Sequence, residues 1–193
     1  MDERNPYAPP TAAVADIDNA STSTVAVDAP FFAVTLFKYV LMFVCTFGLY
    51  QIYWFYKNWQ LIKEREGFAG IRISPLPRGI FSVFFCYQCF AKIRDYEHPA
   101  VQPRRLLAGP LAAGWIILSL LWRLPDPWWW PSTVSFLFIL PVQRRVNQIN
   151  AEVAPEQDRN GRLTWLNWIG VGVGSLLLLL ILIGTLAPPQ DVD

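Results

Sequence analysis

Leu163 to Ala187 reads LTWLNWIGVGVGSLLLLLILIGTLA, twenty-five consecutive residues without a charge. A helix needs about 20 apolar residues to cross the hydrocarbon layer of a bilayer. This stretch exceeds that, so it predicts a transmembrane helix over residues 163–187. It follows a charged, turn-forming entry, Asp158-Arg159-Asn160-Gly161-Arg162, and it stops at Pro188-Pro189. Trp165 and Trp168 stand near its start, where indole rings settle at the lipid headgroups.

The rest of the chain agrees with a membrane setting. Of 193 residues, 53% are hydrophobic and 16% charged, and the mean hydropathy is +0.28. An ordinary soluble domain carries about 25% charged residues, so too few charges are present here to solvate a globular surface. Nine Trp, seven Tyr and thirteen Phe suit an interfacial girdle.

Upstream of the long run, Leu106–Trp122 (LLAGPLAAGWIILSLLW) and Trp128–Val142 (WWWPSTVSFLFILPV) flank the turn Arg123-Leu124-Pro125-Asp126-Pro127. They predict a membrane hairpin over 106–122 and 128–142, whose second arm is short for a full crossing. Pro131 suits a first helical turn and Pro141 would kink the far end. The hairpin either crosses or dips and returns, and in both cases its ends emerge on one side.

The first membrane segment, 31–56, has two readings. Tyr39–Tyr56 forms a single span, or the chain turns at Thr46-Phe47-Gly48 and leaves as an interfacial helix. A further run, 79–91 (GIFSVFFCYQCFA), is too short to span and predicts a re-entrant or interfacial segment. The expected fold class is therefore all-α: a helical integral membrane protein with three or four transmembrane helices plus re-entrant or interfacial helices.

Orientation follows from basic residues. Thirteen of the sixteen Lys and Arg lie in two loops, 57–105 and 143–162. The positive-inside rule places both in the cytoplasm and the Arg123 turn outside, together with the acidic C-terminal tail 188–193. With a single first crossing the N-terminal tail lies outside and four crossings result; with a re-entrant first segment it lies inside and three remain. The single crossing is slightly favoured. Residues 1–30 lack a basic start followed by an apolar run, as a secretory signal would have, and predict a disordered acidic and Pro-rich tail. Asn5-Pro6-Tyr7-Ala8-Pro9-Pro10 reads as a solvated peptide, or more sharply as a polyproline-type ligand.

Within the basic loops, Phe55, Trp59 and Ile62, and likewise Val146, Ile149 and Val153, form apolar stripes at helical spacing. Such stripes lie along anionic lipid or pack on the other helices. Both readings stand.

Few residues offer chemistry. Cys86-Tyr87-Gln88-Cys89 is a C-x-x-C, yet apolar burial raises a thiol pKa, and a zinc site needs four ligands. His98, the only histidine, sits in a polar loop with no nucleophile indicated. Lys38 is the one charge inside an apolar run, near enough to the headgroups to snorkel. No catalytic, cofactor-binding or metal-ligating residue is assigned, and the basic loops are explained by topology without nucleic acid. Gly170 and Gly174 are the helix-packing candidates, because small residues four apart let a second helix approach closely. Ala108/Ala112 and Gly109/Ala113 repeat that spacing. These grooves pack together within one chain, or Gly170 and Gly174 form a homo-oligomer through the last helix.

Thr46-Phe47-Gly48-Leu49-Tyr50-Gln51-Ile52-Tyr53-Trp54-Phe55-Tyr56-Lys57 resembles the T-x-G-x-Y-x-x-Y-W-x-Y-K signature of an uncharacterised bacterial integral-membrane family of unknown function. Pro75-Leu76-Pro77-Arg78-Gly79-Ile80-Phe81-Ser82 is similar to a second block there. The resemblance covers roughly residues 31–97 and implies a bacterial inner membrane, with no activity attached. The expected function is a non-catalytic membrane component that associates with the lipid bilayer or protein partners. The alternatives are a small-solute permease or channel and, further off, a membrane thiol-redox protein.

Overall fold

The turn at Phe47-Gly48 decides how the first apolar region is used. Residues 28–125 and 128–186 are described in the computed structural model, so the expected N-terminal tail 1–30 lies outside the described residues but for 28–30, and the C-terminal tail 188–193 lies outside them entirely. Helix α1 (Leu36–Cys45) ends there and α2 (Leu49–Glu66) folds back beside it. Phe47 and Gly48 both take positive φ, +50° and +84°, a conformation open to glycine and strained for phenylalanine. The Thr46 hydroxyl bridges the break: it donates to the Met42 carbonyl at 2.6 Å and accepts from the Tyr50 N–H at 3.0 Å. Helix ends leave backbone groups unpaired, and this side chain serves one on each side.

The pairing along the two helices is antiparallel. Tyr39 meets Tyr50 and Trp54 ring-on-ring, at 5.9 and 6.3 Å, and Phe32, upstream of α1, meets Tyr53 at 5.6 Å. The favoured single span over Tyr39–Tyr56 is therefore not formed; the turn wins because Thr46, Phe47 and Gly48 give it backbone geometry and hydrogen bonds.

Residues 79–91 do not form one segment either. Helix α3 (Pro75–Ile80) stops at Phe81 and α4 (Ser82–Arg94) begins after it. Helix α3 packs closely on α2, with the Arg78 guanidinium 4.4 Å from the Trp59 ring. A short 3-10 turn, Ala69–Arg72, links α2 to α3.

The two apolar runs either side of the Arg123 turn pack against each other. Helix α5 (Ala108–Leu120), extended by the 3-10 turn Leu121–Arg123, packs against a nine-residue 3-10 helix, Trp130–Phe138. A 3-10 helix rises about 2.0 Å per residue against 1.5 Å for an α-helix. Nine residues so wound extend about 18 Å, as far as twelve in an α-helix. Helix α6 (Leu140–Val153) continues from this arm, with Pro141 in its first turn.

Both apolar stripes face inward. Phe55, Trp59, Ile62, Val146 and Ile149 are fully buried in the core with Trp54, Phe90, Ile93 and Trp115, and Val153 is partly buried against it. The stripes therefore pack on other helices, not along a lipid surface.

Helix α7 (Trp165–Leu186) is different. It is the one described helix long and apolar enough to cross a membrane, and its large side chains from Trp165 to Ile183 stand exposed. Only a narrow face is covered, by α1, which runs parallel to it. Gly170 lies under the Met42 methyl, and a Cβ on Gly174 would fall 1.8 Å from the Cys45 carbonyl oxygen. Lys38 fixes the register of the pair. It is buried, 3% exposed, and its ammonium donates to Asn160 Oδ1 at 2.8 Å and to the Arg162 carbonyl at 2.7 Å. The expected snorkel is thus a fixed clasp at the mouth of α7.

Gly174→Ala should lower the thermal midpoint in detergent, with a cost of about 1–3 kcal/mol from overpacking against Cys45. Gly172→Ala, where an added Cβ meets nothing within 4 Å, should leave it unchanged.

Candidate functional site

Between Pro30 and Thr35 the chain is irregular, bent at Pro30 and Phe31, with no helix or sheet to pair its backbone. Side chains take that place. Asn150 of α6 pairs with Phe31 twice, accepting its N–H at 3.3 Å and donating to its carbonyl at 2.8 Å. Asn58 of α2 accepts the Phe32 N–H at 3.2 Å. The Gln143 amide of α6 donates to the carbonyls of Phe32 and Val34 at 3.3 and 3.1 Å, and Asn147 donates to Val34 at 2.9 Å. Asn160, in the loop before α7, donates to the Ala33 carbonyl at 3.1 Å, and Arg65 to that of Pro30 at 2.8 Å.

The clamp is itself braced. Trp54 Nε1 donates to Gln143 Oε1, and Gln143 donates to Asn147 Oδ1 at 2.8 Å. Asn58 and Gln143 have no exposed surface, and Phe31 and Val34 are equally buried. A buried backbone group without a partner costs roughly 1–3 kcal/mol, so these amides are what allow the irregular segment to lie in the core. Ala29 and Pro30, grouped by composition with the tail, are buried here. Four of the five amides, those of Gln143, Asn147, Asn150 and Asn160, lie more than a hundred residues away, so nothing local announces the clamp.

A second feature is a cleft of about 830 Å³ beside the end of α4. It is lined by Arg94, His98, Arg104, Arg105 and Arg145, with Asp95 and Glu97 among the other wall residues. Arg94 grips Asp95 through two hydrogen bonds of 2.7 and 2.8 Å, which hold the Asp95 carboxyl below its usual range. His98 stacks on Tyr96, and its Nδ1 accepts the Ala100 N–H at 3.2 Å. That is a loop histidine serving its own turn.

Cys86 and Cys89 are both buried free thiols on the inner face of α4. Burial pushes the Cys86 thiol up to about 12 and raises Cys89 as well. The thiol form is therefore strongly favoured, the reverse of what a nucleophilic or redox cysteine needs. Among the described residues no three of His, Cys, Asp and Glu converge to hold a metal ion. Gly170 and Gly174 face α1, as described above. Ala108 and Ala112 are buried where α5 meets α4, with Cys86 Sγ 4.0 Å from the Ala112 carbonyl. The two small-residue grooves thus have different partners and do not meet each other.

No family model, curated protein or solved structure matches this chain.

Two outcomes follow from the site. Asn150→Leu should cost about 2 kcal/mol or more, because it orphans both backbone groups of Phe31, and hydrogen exchange at Phe31–Val34 should quicken. Maleimide should label Cys86 and Cys89 slowly at neutral pH and quickly once the protein is unfolded. Because folding raises the Cys86 pKa from 9.0 to about 12, the unfolded state loses its proton first. Stability should therefore fall as pH rises above 9, measurable by chemical denaturation at successive pH values.

Proposed function

We propose that the chain is a non-catalytic, multi-pass component of a bacterial inner membrane, associating with lipid or protein partners through its helix faces and basic loops. The observation that carries this reading is the exposure of α7. A core helix of a soluble domain would be buried, and an apolar surface of this extent marks a lipid or partner contact. Its 22 residues extend about 33 Å, the thickness of the hydrocarbon layer.

Depths along α7 support a topology. Lys38 is tied to Arg162 and Asn160 at its mouth, and Trp165 and Trp168 stand exposed there, so this end sits at the headgroups. Gly174 is nine residues beyond Trp165, about 14 Å deeper and close to the midplane. The turn after Cys45 lies at that depth. In this reading α1 and α2 dip half-way and return, and the signature that resembles the bacterial family builds the re-entrant turn.

The α5 hairpin reaches further. Phe136 meets Phe43, ring centroids 5.0 Å apart, about 8 Å below Lys38. From there the 3-10 arm continues about 12 Å to Trp130. Exposed Trp122, Trp128 and Trp130 then serve as the girdle of the far interface. Helix α5, the 3-10 arm continued by the first turn of α6, and α7 make three crossings, with the N-terminal tail and the basic loops all in the cytoplasm.

The alternatives have less behind them. The buried amides gather at one end and are occupied by the backbone of residues 30–35, so they do not line a path. The cysteines are held as neutral thiols, against a redox role.

Alkaline carbonate should leave the protein in the membrane pellet; release would overturn the reading. Ala13→Cys should react with an impermeant maleimide only after the cytoplasm is opened, and Leu124→Cys from outside intact cells. Labelling of residue 13 from outside would restore the four-crossing scheme, and a silent residue 124 would leave a single crossing.

A further inference from the structure

We propose that the cleft at the end of α4 binds a phosphate group, with the Arg145 guanidinium as its floor and Arg104 and Arg105 as its rim. Arg145 projects from α6 and is 5% exposed. Its Nη2 donates to the Gln102 carbonyl at 2.9 Å, but its Nε and Nη1 have no partner. Neither ion pair among the described residues includes it. A buried guanidinium with two unsatisfied nitrogens and no counter-charge is costly. The other buried polar groups of this end, Gln143, Asn150 and Asn58, are all bonded.

The surroundings say what the missing partner is. Arg104 and Arg105 are exposed and face the same cleft. Of the two carboxylates lining it, Asp95 is already engaged by Arg94. That leaves three guanidinium groups against Glu97, an excess of positive charge in a concave site. Guanidinium donors suit an oxyanion that can accept several hydrogen bonds at once, and arginine is favoured where phosphate is recognised. The volume of about 830 Å³ accommodates a phosphate with a substituent.

Arg105 stands three residues before α5 begins at Ala108. If the chain is embedded as proposed above, a reading on which only the lipid arm of the test rests, the cleft opens at the headgroup layer. The phosphate then belongs either to an anionic lipid or to a soluble ligand.

The full chain, purified in a neutral detergent, separates these sources. Inorganic phosphate is titrated by calorimetry, and the protein is reconstituted in phosphatidylcholine nanodiscs with and without phosphatidic acid. At least one probe should bind and raise the thermal midpoint. Arg145→Met should weaken that binding about tenfold or more, the loss expected for a charged hydrogen-bonding group. Since Arg145 also braces Gln102, the exposed pair Arg104→Gln/Arg105→Gln provides a variant with an undisturbed core, and it should weaken binding roughly threefold. Binding of inorganic phosphate assigns a soluble ligand, and binding of phosphatidic acid alone assigns the headgroup. Silence of both probes, or equal binding by both variants, overturns the site. Retention in carbonate-washed membranes is scored separately, so failure here leaves the membrane assignment standing.

Discussion

The fold is arranged around a length of buried, irregular backbone that has no secondary structure to pair with. Residues 30–35 run through the core between α2, α6 and the loop before α7, and amide side chains from all three satisfy them. In a medium poor in water such groups must find partners inside the protein. Asn58, Gln143, Asn147, Asn150 and Asn160 are those partners. Their removal would not merely open a cavity; it would strand backbone donors and acceptors where no solvent reaches.

That requirement explains the neighbouring geometry. Trp54 is held against Gln143 and meets Tyr39 edge to face, so the α1–α2 turn cannot straighten without disturbing the clamp. Lys38, one turn into α1, ties the same segment to the mouth of α7. Further along, Gly174 lets the Cys45 carbonyl come against the α7 backbone, and the two helices share a seam free of side-chain bulk. The 3-10 arm meets a different demand, since winding more tightly gains length from few residues.

Much of this is legible in the sequence. The uncharged run after Arg162 announced α7, and the polar turn at Arg123 announced the hairpin around it. The break at Gly48 was one of two readings, and composition alone leaned to the other because a continuous apolar run resembles a span. Deciding it required Tyr39, Tyr50 and Trp54 to be seen in contact. The amphipathic stripes were visible, but their partners were not, since periodicity shows that a face is apolar and not what covers it. The amide clamp left no trace at all. Asparagines and glutamines scattered along α6 look like an ordinary solvated face, and the bonds they make span over a hundred residues. Arg145 was hidden for the same reason, as one of several arginines that the positive-inside pattern already explained.

The separation between the irregular segment and its amides has a consequence for biosynthesis. Residues 30–35 leave the ribosome more than a hundred residues before Gln143, Asn147, Asn150 and Asn160 are translated. Contacts of such long range form late and slowly. The amino-terminal part must therefore wait, its backbone still hydrated, until α6 and the loop beyond it have been made. A nascent chain arrested before residue 143 has its α1–α2 turn, Asn58 and Arg65, but lacks the four later amides, and it is an open target for quality-control proteases until α6 and the loop beyond it dock.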